Sequence, residues 1–104
     1  MVFRKRAERR AAERAAEKLA EQRVKFFFAS DGGSQEHPAC VESASLVEPR
    51  ALAIPCPRCE GPLRLLSHDA VAHRGAVLRA ARTACARCAS PWTVWFRIER
   101  PLAN

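Results

Sequence analysis

Two stretches of the chain are near copies of one another. Cys56-Pro57-Arg58-Cys59-Glu60-Gly61-Pro62 and Cys85-Ala86-Arg87-Cys88-Ala89-Ser90-Pro91 both read Cys-x-Arg-Cys-x-small-Pro. A Cys-x-x-Cys turn brings two sulfurs to the spacing of half a tetrahedral zinc site, with Zn–S about 2.3 Å, and a second turn supplies the other half. The motif predicts one structural Zn2+ held by Cys56, Cys59, Cys85 and Cys88. Four thiolates close the sphere, leaving no position for water or substrate, so no catalytic centre is expected there. Ligand softness favours zinc, with iron as the main competitor. The competing readings are a pair of disulfides or redox-active dithiols. The first needs an oxidising compartment, and no secretion signal is visible; the second needs a βαβ frame that this chain does not spell.

A metal is also what the length asks for. With 104 residues, and an apolar fraction of 48% in which twenty residues are alanine, the chain has one thin core. Only residues from about 50 onward carry the Leu, Val, Ile and Trp of a sheet, and a unit below about 70 residues rarely stabilises itself by burial alone. Structural zinc contributes about 10–16 kcal/mol near neutral pH.

The formal charge of +7 is unevenly placed. Residues 3–28 hold nine Lys/Arg against four Glu, and the remainder holds nine against seven. Phe3 to Phe28 is almost wholly Ala, Arg, Glu, Lys and Leu without Gly or Pro, which predicts a long helix. Ala7, Ala11, Ala15 and Leu19, with Ala12, Ala16 and Ala20 beside them, give it a broad but shallow apolar face. Three consecutive phenylalanines, Phe26 to Phe28, cannot all face one way, so at least one should anchor the helix on the rest of the chain. Acidic Glu8, Glu13, Glu17 and Glu21 argue against a transit peptide. No apolar run reaches the ~18 residues of a membrane span. A cytoplasmic placement with reduced thiols is expected.

The predicted organisation is a basic helix over 1–30, a linker over 31–50 opening on the flexible Gly32-Gly33 joint, and a metal domain over 51–104. The joint and the shallow alanine face offer little coupling, so the helix should be separable. Within the linker, His37-Pro38-Ala39-Cys40 has half of a metal motif and no second half. Ala51–Ile54 reads as a short strand before the first knuckle and Leu63–Leu66 as a hairpin strand. Ser67–Gly75 reads as a polar turn carrying solvated His68 and His73. Val77–Ala84 prefers helix by composition, but the knuckles require a return strand. In Trp92–Ile98, Trp92, Val94, Phe96 and Ile98 alternate with Thr93, Trp95 and Arg97, a strand that Pro101 should stop. Trp95 then faces away from the core, either covered by the Phe cluster or the 52–54 strand, or left as a docking surface.

Knuckle, hairpin, knuckle and final strand, with Leu63 following the first pair of cysteines and Trp92 the second, resemble the small bacterial zinc ribbons related to the transcription factor IIB zinc finger. The likeness covers residues 56–98. It implies a small α+β fold: a three-stranded antiparallel zinc ribbon, here preceded by a long basic helix. Two departures stand out. The 25 residues between the knuckles exceed the usual interval of about 15–20, and Ser90 stands where the second turn usually has glycine. The resemblance further implies contact with DNA, RNA or a nucleoprotein complex, or else a protein docking module. Candidate contact residues are Arg58 and Arg87 at the knuckle tips, Arg97 with Trp95, and Arg6, Arg9 and Arg10 on the helix; in the docking alternative a protein partner is met through residues 3–28 or the Trp95 edge. No enzyme constellation and no small-molecule substrate are expected.

Overall fold

The computed structural model describes residues 2–100, and the expected strand stop at Pro101 lies outside them. α1 runs Val2–Ala29 as one uninterrupted helix, as its composition dictates. After a corner come β1 (Ala39–Val41), a 3-10 turn (Ala44–Leu46) and α2 (Val47–Leu52). The hairpin β2 (Leu63–His73) and β3 (Ala76–Cys85) is followed by β4 (Pro91–Ile98). The sheet order is β1-β4-β3-β2, with β1 parallel to β4 and the other pairs antiparallel. The fold is α+β as expected, but its sheet is four-stranded and mixed rather than three-stranded and antiparallel.

The added strand comes from residues 31–50, which read as linker. Their polar spacing hides a short apolar set: Val41 (5% exposed) and Val47 (0%) are buried, and Ala51 (0%) follows them. β1 lies alongside β4 with Ala39 opposite Phe96 and Val41 opposite Ile98, and α2 lays Val47 and Ala51 on the core. Residues 51–54 accordingly end a helix instead of forming a strand, since Val47 and Ala51 are one helical turn apart.

The Gly32-Gly33 joint is a fixed corner. Gly32 N–H donates to the His37 carbonyl at 2.7 Å, and the Gly32 carbonyl accepts from Trp95 N–H at 2.8 Å. A Cβ on Gly33 would fall 2.0 Å from the Phe27 carbonyl oxygen, so only glycine lets the chain turn this tightly against the helix end.

The hairpin is longer than expected too. Ser67–His73 is strand, and the turn shrinks to Arg74 (φ 49°) and Gly75 (φ 81°), both left-handed as a two-residue hairpin turn requires. A bulge between Leu65 and Ser67 shifts the register, and Asp69 is held by Arg82 across the strands at 3.4 Å. This extra length is what widens the interval between the knuckles. Val77–Ala84 is strand, as the knuckle geometry demands.

The core sits between the sheet and the layer made by α2 and the end of α1. Trp92, Val94 and Phe96 point into it in the alternation read from sequence, with Ile98 packed at its margin. Phe27 meets Trp92 edge-on, with ring centroids 5.5 Å apart, and is the anchor among the three phenylalanines. Ala20, Arg23, Val24 and Phe27 form the face of α1 turned to the core, at the i, i+3, i+4, i+7 spacing of one helical stripe. The shallow alanine stripe stays undocked, as its small burial implies: Ala7, Ala11, Ala15 and Leu19 are exposed. The end of α1 therefore packs on the core through Ala20, Arg23, Val24 and Phe27, whereas every side chain from Lys5 to Leu19 is exposed. The helix carries the molecule's longest dimension to 71 Å.

Candidate metal centre

The register of the hairpin builds the site. Leu63, four residues past Cys59, pairs with Cys85, the first cysteine of the second knuckle. The two turns are near replicas. Glu60 N–H donates to the Cys56 carbonyl (2.8 Å) and Cys56 N–H to Gly61 (2.9 Å); Ala89 N–H donates to Cys85 (3.0 Å) and Cys85 N–H to Ser90 (2.9 Å). Ala86 N–H donates to the Pro62 carbonyl at 2.9 Å and ties one turn to the other. The left-handed residues of the two turns are Glu60 (φ 63°) and Ala89 (φ 64°), so the second turn asks no left-handed backbone of Ser90. Gly61 is needed for space: a Cβ there would lie 3.0 Å from Cys85 Sγ.

The four sulfurs of Cys56, Cys59, Cys85 and Cys88 all lie within 4.8 Å of one another. Cys56 and Cys88 are 3.7 Å apart, and Cys59 and Cys85 are 3.4 Å apart. A tetrahedron of sulfurs at about 2.3 Å from a central ion has edges of about 3.8 Å, whereas a disulfide would need about 2.05 Å. The donor set therefore fits one four-coordinate metal ion. Cys56 and Cys85 are buried, Cys59 is half-buried and Cys88 is exposed, so the cluster sits at the surface with one open flank.

Proton affinities inside the cluster are split. Against the lowering effect of the Gly61 N–H, burial and contact with the sulfurs of Cys85, Cys88 and Cys56 push the Cys59 thiol up to about 11. Ser90, through its hydroxyl 2.9 Å from the sulfur and its backbone N–H, brings Cys88 down to about 6. The N–H groups of Cys88 and Arg87 lower Cys85, at 3.4 and 3.3 Å from its sulfur. Such a cluster exchanges its protons for a cation, because thiolates crowded this closely need a positive charge between them.

Of the expected contact residues, Arg58 is exposed at the first knuckle. Arg87 is turned back, with its guanidinium donating to the Cys59 carbonyl at 3.3 Å. Arg97 is paired with Glu99 at 2.8 Å. Trp95 is half-buried, directly across from Ala80 (0% exposed). Phe27 and Phe28 go to Trp92 instead of to Trp95. Gln35 and Pro38 of the corner come up to Leu78 on the same face. Arg6, Arg9 and Arg10 are exposed on α1, and among the described residues none of them meets a carboxylate.

His37 and Cys40 join no metal cluster among the described residues. His68 is no solvated turn residue: it lies on β2 with its side chain 16% exposed and Nδ1 3.9 Å from Glu48. His73 closes β2.

Sequence reasoning missed Arg23. From the core face of α1, its Nε donates to the Pro57 carbonyl at 3.2 Å and its Nη2 to the Arg58 carbonyl at 2.7 Å, and Nε lies 3.4 Å from Glu60. One side chain thus clamps the helix to the turn that carries Cys56 and Cys59. Nothing in its spacing singled it out among fifteen arginines.

Comparison of the chain with protein-family models, curated proteins and solved structures gives no match. No helix among the described residues is long and apolar enough to cross a membrane.

Proposed function

We propose that the chain is a non-enzymatic structural-zinc module, allied to the zinc ribbons it resembles, which holds a basic helix at a fixed angle and presents it to the phosphate backbone of a nucleic acid. Zinc is the reading because four thiolates at tetrahedral spacing suit it best, and such a site supplies the stability that a thin core lacks.

The observation that carries the partner class is the charge gradient along α1. Residues 4–10 hold five cations against Glu8, whereas residues 11–25 hold Arg14, Lys18, Arg23 and Lys25 against three glutamates. The positive charge is thereby concentrated in the part of the helix far from the core. The knuckle-tip reading is weaker, since Arg87 and Arg97 are already engaged within the chain. Phosphate contacts release counterions, so affinity for duplex DNA falls with salt at a log–log slope of about −0.9 per phosphate neutralised. Replacing Arg6, Arg9 and Arg10 together with alanine should flatten that slope by about 3. An unchanged slope in the triple variant would refute the helix as the contact surface.

The second reading, a protein-docking module with the metal centre as scaffold, has an observation of its own in an apolar cleft beside the first knuckle.

A further inference from the structure

Where the end of α1 meets the first knuckle, a cleft of about 470 Å³ opens to solvent. Phe26 and Phe27 form one wall, and Ile54, Pro55 and Pro57 the other. Its volume lies within the range of about 300–1,000 Å³ typical of ligand clefts. Phe26 is 75% exposed at its edge, an arrangement that leaves a large ring in water unless something covers it.

The chemistry of the mouth decides what fits. Pro55 and Pro57 have no N–H, and those of Ile54 and Cys56 are taken by the carbonyls of Ala51 and Gly61, so this wall offers no free backbone donor to an anion. Among the described residues the only cation at the mouth is Arg23, and its guanidinium is taken by Glu60 and by the carbonyls of Pro57 and Arg58. Asp31, exposed on the same rim, meets no cation among the described residues. The net charge left over is negative, above a floor that is aromatic and aliphatic. A phosphate backbone is repelled by that combination. An apolar side chain with a lysine or arginine next to it is complementary in both respects.

We propose that this cleft is a docking site for a partner polypeptide through a segment that places a large apolar side chain beside a basic residue, the side chain filling the space between Phe26 and Pro55 and the cation facing Asp31. The inference deepens the docking reading above and depends on the metal only in that the first knuckle forms one wall.

The test uses the full-length, zinc-loaded chain with isotope-labelled amides and two blocked peptides, Ac-Ala-Lys-Phe-Leu-Lys-Ala-NH2 and the same peptide with glutamate for both lysines. The basic peptide should shift the amides of Phe26, Asp31 and Ile54 saturably. The acidic one should bind at least about threefold more weakly, the discrimination an exposed ion pair supplies. Phe26→Ala, at an exposed position where folding is not at stake, should weaken the basic peptide about tenfold, and Asp31→Lys should reverse the preference. Equal affinity for the two peptides, or no saturable shift with either, overturns the proposal, as does an Asp31→Lys chain that still prefers the basic peptide.

Sedimentation of the free chain is run beside it. Concentration-dependent mass that the basic peptide abolishes would assign the cleft to a second copy and overturn the separate partner. Zinc content measured on the same sample keeps the two readings apart: a zinc-free chain that still binds the peptide sinks the zinc reading alone, and a zinc-loaded chain that ignores it sinks the cleft alone.

Discussion

Replacing Arg23 with methionine removes the clamp between helix and knuckle while keeping most of the side chain's apolar stem on the core face. Three contacts are lost: donors to the Pro57 and Arg58 carbonyls and the ion pair with Glu60. Hydrogen bonds from a charged donor contribute about 1.5–3 kcal/mol each, but the Arg23 side chain is 37% exposed, and water takes over part of what is lost, so about 1 kcal/mol apiece is the better figure. The Glu60 side chain is 62% exposed, so its pair adds no more than about 0.5 kcal/mol. The sum is about 2 kcal/mol, which in a chain of this size lowers Tm by about 10 °C. Because the clamp grips the turn that carries Cys56 and Cys59, loss of the metal should release it too. The same 2 kcal/mol should then appear as a roughly 30-fold weaker zinc affinity in competition with a chromophoric chelator. A Tm within about 2 °C of wild type, with an unchanged competition constant, would refute the clamp and leave α1 held by its apolar contacts through Phe27 and Val24.

Phe27→Ala should cost about 3–4 kcal/mol, since it empties the contact with Trp92, and deleting residues 1–30 should abolish cooperative melting for the same reason. Deleting residues 1–18 should leave Tm nearly unchanged, because those side chains described are exposed; circular-dichroism melts check all three. Alkylation of the zinc-loaded chain should label Cys40, which is exposed, and spare the four clustered thiols. After chelation all four should become reactive together, Cys56 included although it is 0% exposed in the folded chain, because loss of the metal unfolds the chain that buries it; peptide mass spectrometry reads the labelling. A Cys56 that stays protected after chelation would show that the fold outlasts its metal.

The candidate site was legible because its information is local. A Cys-x-x-Cys turn carries its own geometry, and its duplication announced the second half. The final strand was legible for the same reason, through the alternation of Trp92, Val94 and Phe96. What escaped was whatever depends on partners distant in sequence. β1 is three residues long and exists because β4 offers it an edge; no period can be read from Ala39–Val41 alone. α2 is a turn and a half with two core residues, Val47 and Ala51, in a stretch whose serines and prolines read as linker. The helix was legible in part. Its alanine stripe buries too little to decide an orientation and an anchoring phenylalanine was expected, but which of the three it is, Phe27 with Val24 beside it, depends on Trp92 far along the chain. Arg23 gave no signal, because a clamp to backbone carbonyls needs no partner side chain that a sequence could display.

The central claim is that one zinc ion held by Cys56, Cys59, Cys85 and Cys88 completes this fold. Native mass spectrometry of the full chain, before and after a strong chelator and on the Cys85→Ser and Cys40→Ser variants, tests it most directly. One zinc per chain is expected in wild type and in Cys40→Ser. None is expected in Cys85→Ser, with chelated wild type shifting to the broad, highly charged distribution of an unfolded chain, since the metal contributes more than a domain this small can otherwise hold. A metal-free wild type with a compact charge distribution, or a Cys85→Ser chain that keeps its zinc, would contradict the account.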